Sequence, residues 1–314
     1  MTTNSYTKKK EIGFLIKKGI VSKYCKIEKV GLGLVHEVYK INTDGKNYVL
    51  KIRLDHFKSD KKIKIVPTDI EIEKDALIIV GQKIKNFVPK IILSGNNFLL
   101  LEYIAGTSVY ELLFKQVLTS KHCGEIAASM ANFHKRLANY KKPIREERKE
   151  LAQYESYLYW RYGIWNHKVL NQIVSDLKKE KKQTIYGDFN PHNMTIRDDK
   201  LCIYDLETMH IGNKIFDVGF FLGHLSLHYL NNLTRLSTLL KIFYSNYKIS
   251  KYEEPILVKI VLATIYYRLC TKNRYETSNN LNKNNLKKIV DNMLNMDISS
   301  SKDLLGKFEI LLGK

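Results

Sequence analysis

The sequence predicts an α+β protein, with a five-stranded antiparallel N-terminal sheet carrying one helix and a mostly helical C-terminal part. Three observations predict it. Short alternating runs of strand-forming residues, broken by glycine and asparagine turns, fill the chain up to Ile104. Beyond Gly106 the apolar residues change to helical spacing. Within that helical half, the short apolar run LCIY at residues 201–204 has a polar loop before it and Asp188, Asn193, Asp205 and Glu207 around its ends.

In order, residues 8–20 place Ile12, Leu15, Ile16 and Ile20 at roughly helical spacing, which predicts a short amphipathic helix whose role is packing. Residues 26–42, KIEKVGLGLVHEVYKIN, read as two strands joined at Gly31 and Gly33, and Asp44 with Gly45 turns the chain into a third strand, NYVLKIRL. The two glycines either let the backbone approach a phosphate or simply make a turn. Lys51 falls inside the third strand between Leu50 and Ile52, where a charge needs solvent or a partner. The next helix follows Pro67 and Thr68, and Thr68 with Glu71 has the form of a capping box, which accounts for Glu71 locally. Glu73 lies beside the stripe Ile72, Ala76, Leu77 and Val80 and can reach inward, so it is the chosen partner for Lys51. KIIL and FLLLEYI, either side of a turn at residues 94–97, predict the fourth and fifth strands. These patterns divide the chain into an N-terminal lobe, 1–104, and a helical C-terminal lobe, 105–314.

In the helical half, Ile126, Met130, Phe133, His134 and Leu137 form one apolar helix face, on which His134 reads as a core residue. Tyr154, Tyr157, Tyr159, Trp160, Tyr162 and Trp165 make an aromatic stretch that either stacks on a substrate ring or packs a core. Later helical patterns include residues 256–270 and 286–294.

Asp188 and Asn193 are five apart around Pro191, which cannot continue a regular helix, so this stretch reads as a loop whose side chains converge. Asp205 follows a short buried strand. A loop aspartate, a loop asparagine and a strand-end aspartate suit phosphoryl transfer, which needs one carboxylate to orient and deprotonate a hydroxyl and two hard oxygen ligands for magnesium.

The motifs YGDFNPHN at residues 186–193, YDLE at 204–207 and FDVG at 216–219 resemble the loops of aminoglycoside phosphotransferase and choline kinase-like small-molecule kinases. Those loops commonly read HGDLHPGN, IDFE or IDWE, and FD. The resemblance implies a protein kinase-like two-lobed fold, with Asp188 as catalytic base, Asn193 and Asp205 as magnesium ligands, and Glu207 as a further or water-mediated ligand. It also implies that Lys51, fixed by Glu73, holds the nucleotide phosphates under the Gly31–Gly33 turn. The connection from Glu102 through Ile104 would offer backbone groups to adenine, and Asp217 would brace the catalytic loop. Glu253, Glu254 and Tyr266 would line the acceptor pocket. Implied cofactors are ATP or GTP and Mg2+. The chain departs from the pattern at Tyr186 and Asn190, each in place of His, at His192 in place of Gly, and at Leu206 in place of Phe or Trp.

Composition narrows the partners. The 314 residues carry a formal charge of +20, a field that attracts a nucleoside triphosphate and repels a polycation, so a metabolite is the expected hydroxyl-bearing acceptor. The lysines are spread along the chain, densest at 8–10 and 178–182, without a nucleic-acid module around them, so nucleic acid is not an expected partner. Cys25, Cys123, Cys202 and Cys270 form no metal or disulfide framework, and no apolar run reaches the ~18 residues of a membrane span, so a cytoplasmic protein is expected. Two other readings stand beside the kinase: a nucleotide-binding regulator with little catalysis, suggested by Tyr186 and His192, and a basic polyanion-binding protein, suggested by the charge. Acceptor identity, ATP against GTP, and oligomeric state stay open at this level.

Overall fold

The structure is a computed structural model that describes residues 10–30, 35–56, 58, 70–140, 162, 167–179, 182–271 and 281–313. Gly31, Gly33, Pro67, Thr68 and the aromatic residues 154–160 and 165 lie outside the described residues. The chain falls into two compact units, Met1–Ala105 and Gly106–Lys314.

In the first unit, α1 (Lys10–Lys17) precedes β1 (Lys26–Lys29), β2 (His36–Thr43) and β3 (Lys46–Arg53), and α2 (Ile70–Lys83) precedes β4 (Ile91–Ser94) and β5 (Phe98–Glu102). The five strands form one antiparallel sheet in the order β1-β2-β3-β5-β4. Asp44 and Gly45 both take positive φ, 49° and 74°, as a two-residue hairpin that matches the sheet twist requires. The strand period of two then sorts the side chains. Tyr39, Ile41, Leu50, Ile52, Phe98 and Leu100 pack with Ile12 and Leu15 of α1 in one core. Lys51, Leu99 and Leu101, one residue out of phase, face the other way, and α2 packs against β4 and β5.

The second unit begins with β6 (Thr107–Ser108), α3 (Val109–Phe114) and α4 (Ser120–Leu137), and after α5 (Lys168–Lys179) comes β7 (Gln183–Ile185). Next are β8 (Met194–Arg197), β9 (Lys200–Ile203) and β10 (His210–Gly212). Helices α6 (Lys214–Tyr229), α7 (Leu233–Tyr247), α8 (Glu254–Cys270), α9 (Lys283–Leu294) and α10 (Ser301–Leu312) complete it. Only β9 of these strands was legible in the sequence. The unit also holds the small sheets β6-β8-β9 and β10-β7, which are built from strands too short to show alternation.

Helix α6 is buried from Ile215 to Tyr229 and forms the centre of the unit. It accepts α8 closely because a Cβ on Gly219 would lie 2.5 Å from Ile260 Cγ2, and one on Gly223 2.5 Å from Thr264 Cβ. Tyr162, the described member of the aromatic stretch, is core: its hydroxyl lies 2.7 Å from Thr264 Oγ1 and its ring packs on Phe216. Among the described residues no helix is long and apolar enough to cross a membrane.

Candidate active site

Between β7 and β8 the chain runs through Tyr186, Gly187, Asp188, Phe189 and Asn190 into a single 3-10 turn, Pro191–Asn193. Two anchors shape this loop. The Asp217 carboxylate, in the first turn of α6 and wholly buried, accepts the Tyr186 N–H and the Gly187 N–H, each at 2.8 Å. Gly187 takes φ +81°, and a Cβ there would sit 2.7 Å from Thr208 O, so the turn that projects Asp188 requires glycine. Asp217 is itself held: His134 Nε2 donates to it at 3.0 Å, and the Tyr247 hydroxyl donates to His134 Nδ1 at 2.7 Å. His134 is therefore a buried link between α4, α6 and α7, as a core histidine should be.

The loop brings Asp188 and Asn193 together. Asn193 Nδ2 donates to Asp188 Oδ2 at 3.0 Å, which leaves Oδ1 as the oxygen that Asn193 presents elsewhere. Asp205 follows β9, and the Tyr204 N–H donates to Asn193 O at 3.1 Å, so backbone bonding keeps the two residues in register. Asp205 has left-handed backbone, φ 68° and ψ 56°, a conformation that aspartate tolerates better than most residues and that turns the chain out of the strand. Glu207 lies in the short 3-10 turn Leu206–Thr208 that follows, half-buried.

The departures from the family pattern have physical accounts. Tyr186 is fully buried and its hydroxyl donates to Tyr204 O at 2.5 Å, tying this loop to the strand end before Asp205. Burial, with the Asp188 and Asp205 charges nearby, keeps that phenol protonated far above its usual range. His192 sits in the middle of the 3-10 turn and is not among the residues with positive φ, so no glycine is needed there. Its ring stacks on Tyr110 of α3, centroids 3.8 Å apart. Desolvation of that ring, with the Arg268 charge, pushes its imidazole down to about 4. Asn190 accepts the His192 N–H at 3.2 Å and so caps the turn. Leu206 is buried.

In the other unit, Lys51 Nζ meets Glu73 Oε2 at 2.6 Å, with Lys51 and Glu73 side chains 8% and 1% exposed. Glu71 pairs instead with Lys74 at 2.8 Å on the surface of α2. The choice between the two acids thus follows from which helix face packs on the sheet. The Glu102 N–H donates to Lys90 O at 2.9 Å within the sheet, and Ile104, just beyond β5, is half-buried.

The late helices carry the three residues expected at the acceptor pocket. Glu253 pairs with Lys214 at 2.9 Å, and Glu254 accepts the Ser301 N–H at 3.0 Å and its hydroxyl at 3.1 Å. Both acids fasten helix ends, because each stands at the start of α8 beside the start of another helix. Tyr266 is buried near His167, ring centroids 5.4 Å apart, with Lys287 Nζ 5.4 Å from its centroid. Tyr110 and Arg268 beside the loop carried no sequence signal, since a lone tyrosine or arginine on a helix is unremarkable until its neighbours are known.

Among the described residues no three His, Cys, Asp or Glu side chains gather as a metal cluster. The fit to magnesium rests on donor chemistry instead: one amide oxygen and a carboxylate are hard ligands, and this ion takes few protein ligands and completes its shell with phosphate and water.

The fold is the protein kinase-like two-lobed α+β fold, a class to which many phosphotransferases belong. Residues 26–235 match the family model described as "Phosphotransferase enzyme family" (APH), and the chain belongs to that family. A search of curated proteins returns no significant match. Among solved structures, the amicoumacin kinase hAmiN in complex with AMP-PNP, Ca2+ and Ami is similar at 14% identity, covering 94% of this chain and 96% of that one with a TM-score of 0.57. The gentamicin complex of APH(2")-IIa is similar at 16% identity, covering 98% and 96% of the two chains with a TM-score of 0.54. The macrolide 2'-phosphotransferase MphH from Brachybacterium faecium, as apoenzyme, is similar at 12% identity over 82% and 89%, with a TM-score of 0.52. At these identities the likeness is one of fold.

Proposed function

We propose that the protein transfers the γ-phosphoryl group of ATP to a hydroxyl of a small molecule. The observation that carries this reading is the convergence of Asp188 and Asn193, 3.0 Å apart, on a loop anchored by buried Asp217 and tied through Tyr204 to Asp205.

Asp188 orients the acceptor hydroxyl and takes its proton as the hydroxyl oxygen bonds to the γ-phosphorus. The bond from that phosphorus to the β-γ bridging oxygen breaks, and the nucleoside diphosphate leaves. Magnesium, held by Asn193 Oδ1 and the Asp205 carboxylate with Glu207 directly or through water, would neutralise charge on the β and γ phosphates. Lys51, fixed by Glu73, holds phosphate oxygens. The Glu102 carbonyl and the Ile104 backbone receive adenine, because the Glu102 N–H is already used by Lys90. GTP in place of ATP would need the same phosphate contacts and a different backbone match.

The test is magnesium-dependent ADP formation by purified protein with a panel of hydroxyl-bearing metabolites and aminoglycosides, Asp188→Asn serving as control. Loss of the base should lower turnover by about 10² to 10⁴ and spare nucleotide binding. Undiminished turnover in Asp188→Asn would refute the role of Asp188, and nucleotide binding without transfer to any compound would favour a nucleotide-binding regulator.

A further inference from the structure

Asp188 is flanked by two contacts that meet on one side chain. Before it, the Tyr186 and Gly187 amides donate to Asp217. After it, the buried ring of Phe189 packs edge-on against His134, centroids 6.2 Å apart, and against Tyr186, centroids 4.8 Å apart. His134 also donates to Asp217 through Nε2 at 3.0 Å. Its imidazole therefore touches the support of the loop on both sides of Asp188.

His134 is held in turn from α7. Its Nε2 hydrogen goes to the Asp217 carboxylate, which leaves Nδ1 of the neutral ring as an acceptor. The Tyr247 hydroxyl, 2.7 Å away, donates to that nitrogen. Burial, followed by the Asp217 and Glu253 charges, keeps the phenol protonated far above its usual range, so it remains a donor. Tyr247 is the last residue of α7, along which α4 packs. Its ring stacks on Phe243, centroids 5.9 Å apart, and meets the His134 ring edge-on at 5.8 Å. Phenylalanine would pack there as well, so the hydroxyl serves the bond to His134 and not the core. Tyr247, His134 and Asp217 are all buried, which keeps water from competing for these bonds. Every donor points the same way, from phenol through imidazole to carboxylate, and each bond polarises the next.

We propose that Tyr247 is a positioning residue for phosphoryl transfer: by fixing His134 it sets how Asp217 and Phe189 hold the loop, and hence where the Asp188 carboxylate stands against the acceptor hydroxyl. This rests on the phosphotransferase reading above. Tyr247 acts through His134 and Asp217, not by contact with substrate. Without its hydroxyl, Nδ1 of His134 is buried and has lost its donor. The ring is then free to turn or to carry its hydrogen on Nδ1, and either change takes the N–H away from Asp217. The effect falls on the chemical step and spares the nucleotide contacts of Lys51, which belongs to the other unit.

The test reads ADP formation by full-length protein from ATP and magnesium, with water and with the panel of metabolites and aminoglycosides as acceptors, and Asp188→Asn as control. Tyr247→Phe keeps the ring and removes the hydroxyl. His134→Gln keeps an N–H for Asp217 and gives up the bond to Tyr247, and a third variant carries both changes. Circular dichroism establishes that each is folded at the assay temperature, and Tyr247→Phe decides alone if His134→Gln does not fold. Tyr247→Phe should lower kcat by roughly 3- to 10-fold, with KM for ATP changed by less than about twofold. The double variant should fall no further than His134→Gln, since both changes break the same bond. A merely structural tyrosine would lower the melting temperature and leave kcat of the folded protein unchanged, and that result overturns the assignment. So does a double variant whose loss in kcat is the product of the two single losses, or a rise in KM for ATP as large as the fall in kcat. Each of these leaves the phosphotransferase reading standing when the wild type turns over and Asp188→Asn does not. If the wild type forms no ADP with any acceptor, or Asp188→Asn forms it as fast, the phosphotransferase reading fails and this proposal falls with it.

Discussion

Asp217 Oδ1 accepts the Gly187 N–H at 2.8 Å, and its other oxygen takes the neighbouring Tyr186 N–H. A carboxylate with both oxygens engaged by consecutive backbone amides defines where the next residue, Asp188, points. Asp217→Asn keeps the shape but turns an amide N–H toward a backbone N–H, so it should cost about 1–3 kcal/mol of stability. Misplacing Asp188 by a fraction of an ångström should also lower kcat by roughly 10- to 100-fold with little change in KM. Urea unfolding and steady-state kinetics on the same preparation check both halves.

Gly187 and Gly13 make a controlled pair. At Gly187, alanine meets φ +81° and Thr208 O at 2.7 Å, whereas a Cβ at Gly13, inside α1, meets nothing within 4 Å. Gly187→Ala should destabilise by more than the roughly 1–2 kcal/mol that left-handed backbone alone costs an L-residue, and should abolish most turnover. Gly13→Ala should stabilise by about 0.5–1 kcal/mol. Equal melting temperatures for the two variants would show that the loop relaxes around the added methyl.

The ion pair of Lys51 and Glu73 separates stability from nucleotide binding. Lys51→Met strands a buried carboxylate and should cost about 3–5 kcal/mol. The double variant Lys51→Met, Glu73→Leu removes both charges and should regain most of that stability, yet bind nucleotide at least tenfold more weakly than wild type. Calorimetric titration with ATP decides it: recovery of affinity along with stability would remove Lys51 from the phosphate site.

Acid should weaken the fold through buried histidines. Burial, followed by the Lys51, Arg53 and Lys58 charges, holds His36 well below the usual histidine range, and burial with the nearby His192 holds His228 down at about 3. Both are neutral in the fold at neutral pH. Below the unfolded-chain value of about 6.5 the unfolded state takes up protons that the fold refuses, so stability falls as pH drops from about 6.5 toward 3. Each histidine contributes a slope of up to about 1.4 kcal/mol per pH unit in that window. Urea midpoints at pH 7 and pH 5 measure the fall, and His228→Gln should flatten it.

Much of the candidate site was legible because its residues are close in sequence. Asp188, Pro191 and Asn193 share one loop, and Asp205 ends the adjoining strand, so residue type and spacing alone located them. Lys51 and Glu73 were legible for another reason: a charge in a strand interior, and an acid beside an apolar helix stripe, each ask for a partner. Strands β6, β7, β8 and β10 were not legible, since they are two to four residues long and, unlike β9, carry no continuous apolar run. The stacking of His192 on Tyr110 and the bond from Arg268 to His224 were hidden as well. They join residues 82 and 44 positions apart, and nothing in either segment signals the other.

The sequence by itself determined the alternation that makes the N-terminal sheet, the glycine turns, the helical periodicity and the order of the acidic motifs, because these depend on residues a few positions apart. Only the tertiary structure decided how Tyr186 and His192 fit where the family carries other residues, and that Glu253 and Glu254 fasten helix ends. Those outcomes depend on which faces meet across the core, and on how closely α8 approaches α6 at Gly219 and Gly223. That is a property of packing, in which a single missing Cβ sets the distance at which two distant segments can bond.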